Sequence, residues 1–169
     1  MRLLFKLDTK DYDRNGTTFV RPSARGIIRR NGLVAMVHSL KYNYYKFPGG
    51  GLKESECPKD ALIREVAEEA GLLVIPHSIQ QYGLVHRIQK GKQEAIFIQD
   101  NYYYLCTVEP NAQPQKLDNY EAEEQFTLEF VDPNHAIRIN RYADHGITDQ
   151  IMLEREARVL ELLMEEGYL

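Results

Sequence analysis

The sequence lacks a long hydrophobic segment and has no excess of basic residues. No apolar run approaches the roughly 20 residues that a membrane-spanning helix needs, and the first ten residues, MRLLFKLDTK, contain no signal-peptide core. We therefore expect a cytoplasmic protein with no membrane partner. The formal net charge is −4, whereas nucleic-acid-binding proteins usually present a basic surface, so we expect no nucleic acid partner. This charge does not exclude a nucleotide as the substrate.

Cysteine is also scarce. Cys57 and Cys106 are the only two, they form no CxxC pair, and none of the five histidines completes a zinc-type spacing with them. We expect both to be reduced, packed thiols rather than catalytic groups.

What remains is the composition of an ordinary globular protein. The 169 residues are 43% hydrophobic and 27% charged, which predicts a single domain over residues 1–169 with a substantial core. The sequence leaves open whether this domain is a monomer or a homodimer.

Residues 50–72, GGLKESECPKDALIREVAEEAGL, combine a glycine-rich loop with an amphipathic helix. At 100° per residue, one arc is apolar, and we expect Glu65, Glu68 and Glu69 to cluster on the opposite side. Such stacked carboxylates repel one another unless a positive charge lies among them, and hard oxygen ligands suit Mg²⁺ or Mn²⁺. We expect Ser55 to cap this helix and Gly71 to end it.

These residues match the pattern G-x5-E-x7-R-E-U-x-E-E-x-G-U, where U is aliphatic, at every position. The matching residues are Gly50, Glu56, Arg64, Glu65, Val66, Glu68, Glu69, Gly71 and Leu72. The segment thus resembles the Nudix box of the Nudix hydrolases. An amphipathic helix with a solvated acidic face is the alternative, but so many fixed positions would match by chance in well under about one sequence in a million.

The resemblance implies metal-dependent hydrolysis of a diphosphate bond in a nucleoside diphosphate linked to another group. Metal ions held by carboxylates would neutralise the phosphate oxygens and acidify a bound water. We assign Glu65 and Glu69 as metal ligands and Glu68 as a ligand or the general base. Glu56 and Arg64 are expected to form an ion pair that holds the loop onto the helix.

Other site residues are expected outside the helix. The loop glycines Gly49, Gly50 and Gly51 allow a ligand to approach the backbone closely. Arg25 is predicted to bind a substrate phosphate, although a solvated strand face would explain it as well.

The resemblance further implies a loop glutamate before a late strand. The patch Glu121, Glu123 and Glu124 precedes the predicted strand 126–131, and we choose Glu124 as an additional metal ligand or the general base. The alternative is that the patch is an ordinary solvated turn.

The remaining pattern predicts an α/β fold. A hairpin turn at Asn31-Gly32 joins two β-like runs, at 23–30 and 33–39. The other predicted strands are 3–8, 72–75, 82–88, 95–98, 102–108 and 126–131, with a polar loop at 110–120. Helices are expected to begin at Asp132-Pro133 and to cover 147–166. The box helix and the last helix should cover opposite sheet faces, which gives an α/β/α sandwich with a central mixed β-sheet, as the Nudix resemblance also implies.

Two other kinds of function are considered. A ligand sensor that has lost catalysis should show gaps in the REVAEE core, and there are none. An isomerase on the same scaffold is a further alternative, and the acidic net charge disfavours an RNA decapping enzyme. No motif typical of the subtypes that act on coenzyme A, NADH, ADP-ribose or diadenosine polyphosphates is found, so the nucleotide is not assigned.

Overall fold

The computed structural model describes residues 1–169, which form ten strands and four α-helices. The strands are β1 Leu3–Asp8, β2 Thr18–Val20, β3 Ser23–Ile27, β4 Arg29–Arg30, β5 Leu33–Ser39, β6 Tyr44–Lys46, β7 Gly49–Gly51, β8 Gln80–Lys90, β9 Ile96–Leu105 and β10 Phe126–Val131. The helices are α1 Pro58–Ala70, α2 Asn119–Glu123, α3 Pro133–Tyr142 and α4 Gln150–Glu165.

The strands form a mixed sheet and a second, antiparallel sheet. The first has the order β1-β8-β9-β3-β7, with β2 also paired to β9. Within it, β1 runs parallel to β8 and β9 runs parallel to β3, while the β8–β9 and β3–β7 pairs are antiparallel. The second sheet has the order β10-β5-β4, with β6 paired to β5. The prediction of a mixed sheet is confirmed, but the sequence did not indicate the division into two sheets.

The two main helices cover opposite faces of these strands. On β3, Ala24 belongs to the apolar cluster that contains α1, whereas Ile27 belongs to the cluster that contains α4. Strand β5 alternates in the same way, since Ala35 faces the α1 cluster and Met36 the α4 cluster. Because successive side chains of a strand point to opposite faces, this alternation means that helices cover both faces. The α/β/α arrangement is therefore confirmed.

Several predicted elements are confirmed at their expected places. Asn31 and Gly32 both have positive φ, at 52° and 77°, as a two-residue hairpin turn between β4 and β5 requires. Strand β10 covers the predicted residues, and α3 begins at Pro133 behind the N-cap Asp132. Gly71 ends α1 in the left-handed conformation, with φ 66°.

Other predictions are wrong. The N-cap of α1 is Cys57, not Ser55, because the Cys57 sulfur accepts a hydrogen bond from the backbone N–H of Asp60 at 3.5 Å. Cys57 is therefore exposed rather than packed, while Cys106 is buried and its pKa is raised to about 12 by burial. Residues 72–75 contribute only one isolated bridge, between Val74 and Val108.

The two strands predicted at 95–98 and 102–108 are one strand, β9. The polar residues between them suggested a break, but the structure buries Gln99 and Asn101 within the strand. Their side-chain oxygens accept hydrogen bonds from the guanidinium of Arg155 on α4, at 3.1 Å and 2.6 Å. A partner distant in sequence thus allows polar residues to continue a buried strand. Helix α4 begins at Gln150 rather than residue 147, because Asp149 caps it.

The loop 110–118 is irregular, as predicted, and it packs against the end of α1. The N–H of Gln113 donates to the carbonyl of Gly71 at 2.8 Å, and that of Lys116 donates to the carbonyl of Glu68 at 2.7 Å. These bonds satisfy carbonyls that a helix end leaves without partners. None of the helices is sufficiently long and apolar to span a membrane.

Candidate active site

Three consecutive glycines, Gly49–Gly51, bring the backbone of β7 close to β3 and to the side chains of Glu65 and Arg21. Strand β7 pairs with β3, so that Gly49 lies opposite Arg25. Gly49 has φ 137°, and a Cβ atom there would overlap the carbonyl of Ala24. A Cβ on Gly50 would overlap the Glu65 carboxylate, and one on Gly51 would lie 2.7 Å from Nε of Arg21. A side chain at these positions would therefore displace the charged groups on either side of β7.

Arg64 on α1 lies at the centre of a cluster of glutamates. Its Nε and Nη2 donate to the two oxygens of Glu56 at 2.8 Å and 2.7 Å, which is the predicted ion pair. Its Nη1 donates to Glu65 at 2.5 Å and to Glu68 at 3.2 Å, and Nη2 also reaches the Gly51 carbonyl at 3.2 Å. The hydrogen bonds from Arg64 lower the pKa of Glu56 to about 2. We refer to Glu56, Arg64, Glu65 and Glu68 as the acidic cluster.

Glu69 lies apart from this cluster, and the expectation that it shares the exposed face with Glu65 and Glu68 is wrong. Its side chain is 1% exposed. On a helical wheel Glu69 falls only about 20° from Leu62, so the helix turns it toward the core. The Gly49 N–H donates to its Oε2 at 2.9 Å, and the ammonium of Lys46 contacts its Oε1 outside hydrogen-bond geometry. Burial raises the pKa of Glu69, while the charges of Lys46 and Arg25 oppose this change.

The acidic cluster contains two candidate ligands for a divalent cation, Glu65 and Glu68. No three His, Cys, Asp or Glu side chains are grouped closely enough to hold a metal ion in this structure. The three carboxylates of the cluster nevertheless share one guanidinium, which leaves an excess of negative charge, and Glu68 is the most exposed of them, at 41%. Hard carboxylate oxygens with this excess suit Mg²⁺ or Mn²⁺. Glu65 and Glu68 therefore fit the predicted metal, whereas Lys46 and Arg25 already balance the charge of Glu69.

The three glutamates of the second acidic patch have different surroundings. Glu121 is buried and caps α2 by accepting a hydrogen bond from the N–H of Asp118 at 2.8 Å. Glu123 is exposed and forms a surface ion pair with Lys41. Glu124 is half-buried, and its carboxylate bonds to side chains from another part of the chain.

Glu124 shares its surroundings with Glu69. Its Oε2 accepts hydrogen bonds from the hydroxyls of Tyr44 and Ser39, at 2.7 Å and 3.2 Å. The pKa of Tyr44 is raised by burial and by Glu124, and also by the charge of Glu69. The two carboxylates therefore both act on the Tyr44 hydroxyl, Glu124 by a hydrogen bond and Glu69 through its charge.

Arg25 borders a cavity of about 600 Å³. It is only 8% exposed and not a solvated strand residue. Its Nη1 donates to the carbonyls of Phe47, at 3.3 Å, and of Gly49. The cavity lies on the face of β3 that α4 covers, and β2, β8, β9, α4 and the β8–β9 turn contribute to its walls. Arg25 thus joins the glycine strand to this cavity, which we call the basic cavity.

Sequence reasoning missed most residues of the basic cavity. Those with charged or aromatic side chains are Phe19, Arg21, Arg87, Lys90, Lys92, Glu94, Phe97, Tyr120, Asp149 and Arg155. Arg21 precedes the predicted strand 23–30 and Arg87 lies within the predicted strand 82–88, but nothing local distinguishes them from surface cations. Arg155 is next to the apolar stripe of the last helix, and a buried partner for it could be found only from the fold.

The comparisons with known proteins agree with the box and the fold. The NUDIX domain family model matches residues 20–151. The RNA pyrophosphohydrolase of Psychrobacter arcticus is 32% identical over 109 residues, which cover 58% of this chain and 63% of that protein. The RNA pyrophosphohydrolase of Alkalilimnicola ehrlichii is 29% identical over 128 residues, which cover 70% of each chain. This chain therefore spans about two thirds of the length of these relatives.

A solved structure supports the fold. The NUDIX hydrolase from Nitrosomonas europaea has a TM-score of 0.58 and 14% identity, over 83% of this chain and 90% of that one. At this identity the likeness concerns the fold alone. The complete box lies within the matched family model, which covers more than half of the sequence. The chain belongs to the family of Nudix hydrolases.

Proposed function

We propose that the protein hydrolyses a diphosphate bond in a nucleotide substrate, with Mg²⁺ or Mn²⁺ as its cofactor. The observation that carries this proposal is the position of β7. On one side of this glycine strand lies the acidic cluster of α1, and on the other lie Arg21 and Arg25 with the basic cavity. A phosphate chain that extends along β7 would meet cations from the cavity and carboxylates from the helix.

The chemistry follows from the charge of the substrate. A diphosphate is a poor electrophile because its own negative charge repels an attacking water. Arg25 and Arg21 would bind and neutralise non-bridging oxygens, as guanidinium groups do well. When bound, a divalent cation would add charge stabilisation and acidify a water.

Each carboxylate near the glycine strand has a proposed part. Glu65 and Glu68 would hold the metal, and Arg64 with Glu56 would keep them in position. Glu69 remains a proposed further ligand, although its contact with Lys46 would have to change. Glu68 makes the longest hydrogen bond to Arg64 and is the most exposed carboxylate of the cluster, so it is also the proposed general base.

Glu124 is the proposed alternative base. It comes from a different part of the chain, and its two hydroxyl partners fix the carboxylate in one orientation. A base must be held within hydrogen-bond reach of the proton that it removes.

A second candidate substrate is the 5′ end of an RNA chain. The relatives from Psychrobacter and Alkalilimnicola are named RNA pyrophosphohydrolases, and the basic cavity favours the same substrate here. The net charge of −4 argued against an RNA substrate. That argument concerns the average over the chain, whereas the cavity walls carry more cations than carboxylates.

A panel of substrates with Mg²⁺ would test the proposal. It should include nucleoside triphosphates, oxidised nucleotides, ADP-ribose and a 5′-triphosphorylated oligoribonucleotide, with products identified by mass spectrometry. We expect cleavage of a diphosphate bond, either as release of phosphate or pyrophosphate from a triphosphate or as formation of AMP and ribose 5-phosphate from ADP-ribose, and no product in excess EDTA. Cleavage of none of the substrates, with binding retained, would favour a sensor. A rearranged product of unchanged mass would favour an isomerase.

A further inference from the structure

The basic cavity contains more positive charge than a single diphosphate needs. Its walls carry six cationic side chains against two carboxylates, Glu94 and Asp149. The cations are Arg21, Arg25, Arg87, Lys90, Lys92 and Arg155. Because the whole chain has a net charge of −4, this local excess is not a consequence of composition.

Three of these cations are buried in the floor of the cavity. Arg25, Arg87 and Arg155 are 8%, 4% and 1% exposed. Burial lowers the pKa of Arg87, and the nearby positive charges of Arg155 and Arg25 lower it further, against the opposing effect of Asp149. Like charges buried together cost free energy unless anions compensate for them.

The protein supplies anions for two of the three. Arg155 donates to Glu156, whose second oxygen accepts a hydrogen bond from the Phe47 N–H at 3.2 Å. Arg87 contacts Asp149, the N-cap of α4, and also donates to Gln89 at 2.9 Å. Arg25 forms no ion pair with a carboxylate, and the one nearby anion, Glu69, also contacts Lys46.

Arg25 is the group that the protein leaves incompletely bonded. Its Nε is buried and has no hydrogen-bond partner. A buried donor without an acceptor costs free energy, and a ligand oxygen would remove that cost. Because Arg25 lines the cavity, a ligand oxygen bound there is the acceptor that we infer for this group.

The rim extends this charge outward. Lys90 and Lys92 are exposed at the turn that joins β8 to β9, on the cavity wall. Arg21 and Arg25 lie against the glycine strand, so the cavity has cations both near β7 and at this rim.

We propose that the substrate carries at least one phosphate group beyond the diphosphate that is cleaved, and that Arg87, Lys90 and Lys92 bind it in the basic cavity. This inference rests on the proposed function, and it narrows the substrate class to triphosphates and longer polyphosphate esters. A substrate with a neutral sugar beyond its diphosphate would leave these cations without partners.

Calorimetric titration with inorganic tripolyphosphate and with pyrophosphate, in EDTA and low salt, tests this without hydrolysis. We expect tripolyphosphate to bind about tenfold more tightly than pyrophosphate, since one more phosphate gains charge-assisted hydrogen bonds. The double variant Lys90→Gln/Lys92→Gln should lose most of this preference. The matched control Lys6→Gln/Arg138→Gln removes the same charge outside the cavity and should keep it.

Arg87→Gln provides a second test at the floor, with its fold checked by thermal melting, and Arg87→Lys should restore part of the affinity. Equal affinity for the two probes in the wild-type protein would overturn the proposal. So would a preference that the lysine double variant and Arg87→Gln both retain. Tight tripolyphosphate binding without hydrolysis of any substrate would support this site while refuting the proposed activity.

Discussion

The acidic cluster and the basic cavity differ in how their residues are brought together. Every member of the acidic cluster comes from residues 56–68: α1 places Glu65 and Glu68 beside Arg64, and Glu56 lies just before this helix. The basic cavity takes its cations from β3 and the residues before it, from the β8–β9 hairpin and from α4. The acidic cluster therefore comes from one short segment, whereas the basic cavity forms only when the sheet is assembled. The proposed reaction needs both, since the cavity would bind the phosphates and the cluster would hold the metal, on opposite sides of the same glycine strand.

Removing charge from the acidic cluster should have the largest effect. Glu65→Gln and Glu68→Gln keep the shape of the side chain but lose a metal ligand, so we expect kcat to fall by about 100-fold or more. Steady-state kinetics at saturating Mg²⁺ measures this, and Glu123→Gln, at an exposed ion pair, is the matched control. If Glu68→Gln instead melts well below the parent in EDTA, the cluster is structural and the comparison fails.

The acidic cluster could be predicted in part from the sequence, because its residues are close to one another along the chain. The Glu56–Arg64 ion pair follows from a contiguous pattern and is present. The prediction that Glu69 lies on the exposed face was wrong, because on the helical wheel this residue borders the apolar arc. Only the fold shows that Lys46 and Arg25 compensate for the burial of its charge.

The basic cavity could not be predicted because its partners are far apart in the sequence. Arg155 binds Asn101, 54 residues away, and Arg87 contacts Asp149, 62 residues away. The strand break predicted within β9 arose from the same cause. Polar residues within a strand suggest a turn when only the sequence is considered. The structure shows that a buried arginine on another element can bind them and allow the strand to continue.

Changing Arg25 tests the link between the two regions. Arg25→Ala removes a guanidinium that contacts both the glycine strand and the cavity, so we expect KM to rise by about 10-fold to 100-fold. A fall in kcat would mean that the contact strengthens only in the transition state.

Because Arg25 is buried, Arg25→Lys is the companion variant, and melting curves separate loss of fold from loss of binding. Arg138→Ala, at an exposed arginine outside the cavity, is the control. Unaltered kinetics in a folded Arg25→Ala protein would mean that the cavity does not serve the reaction.

The glutamates of the second patch should differ from one another. Glu124→Gln is expected to lower kcat by about tenfold or more if Glu124 acts as a base or a ligand, and general base catalysis commonly contributes at least this much. Glu123→Gln should stay within a factor of about two, a barrier change under roughly 0.4 kcal/mol. Comparing kcat of the two variants at saturating Mg²⁺ decides the matter, and equal values would make the whole patch structural.

The smallest expected effect is on stability rather than activity. It tests the acidic cluster alone, because Glu56 does not line the basic cavity. The pKa of Glu56 is about 2 in the folded protein, below its usual value of 4.5, because Arg64 binds the charged form. A lowered pKa stabilises the fold above about pH 4.5, and this stabilisation is lost as the pH falls through about 2. At pH 7, Glu56→Gln should therefore lower the free energy of unfolding by about 1–3 kcal/mol.

Urea titrations at pH 7 and at about pH 3 would measure this difference in the free energy of unfolding between wild type and Glu56→Gln. We expect it to shrink to less than half at the lower pH, since Glu56 is then protonated on unfolding. A difference independent of pH would mean that Glu56 stabilises the loop by packing and not by its charge.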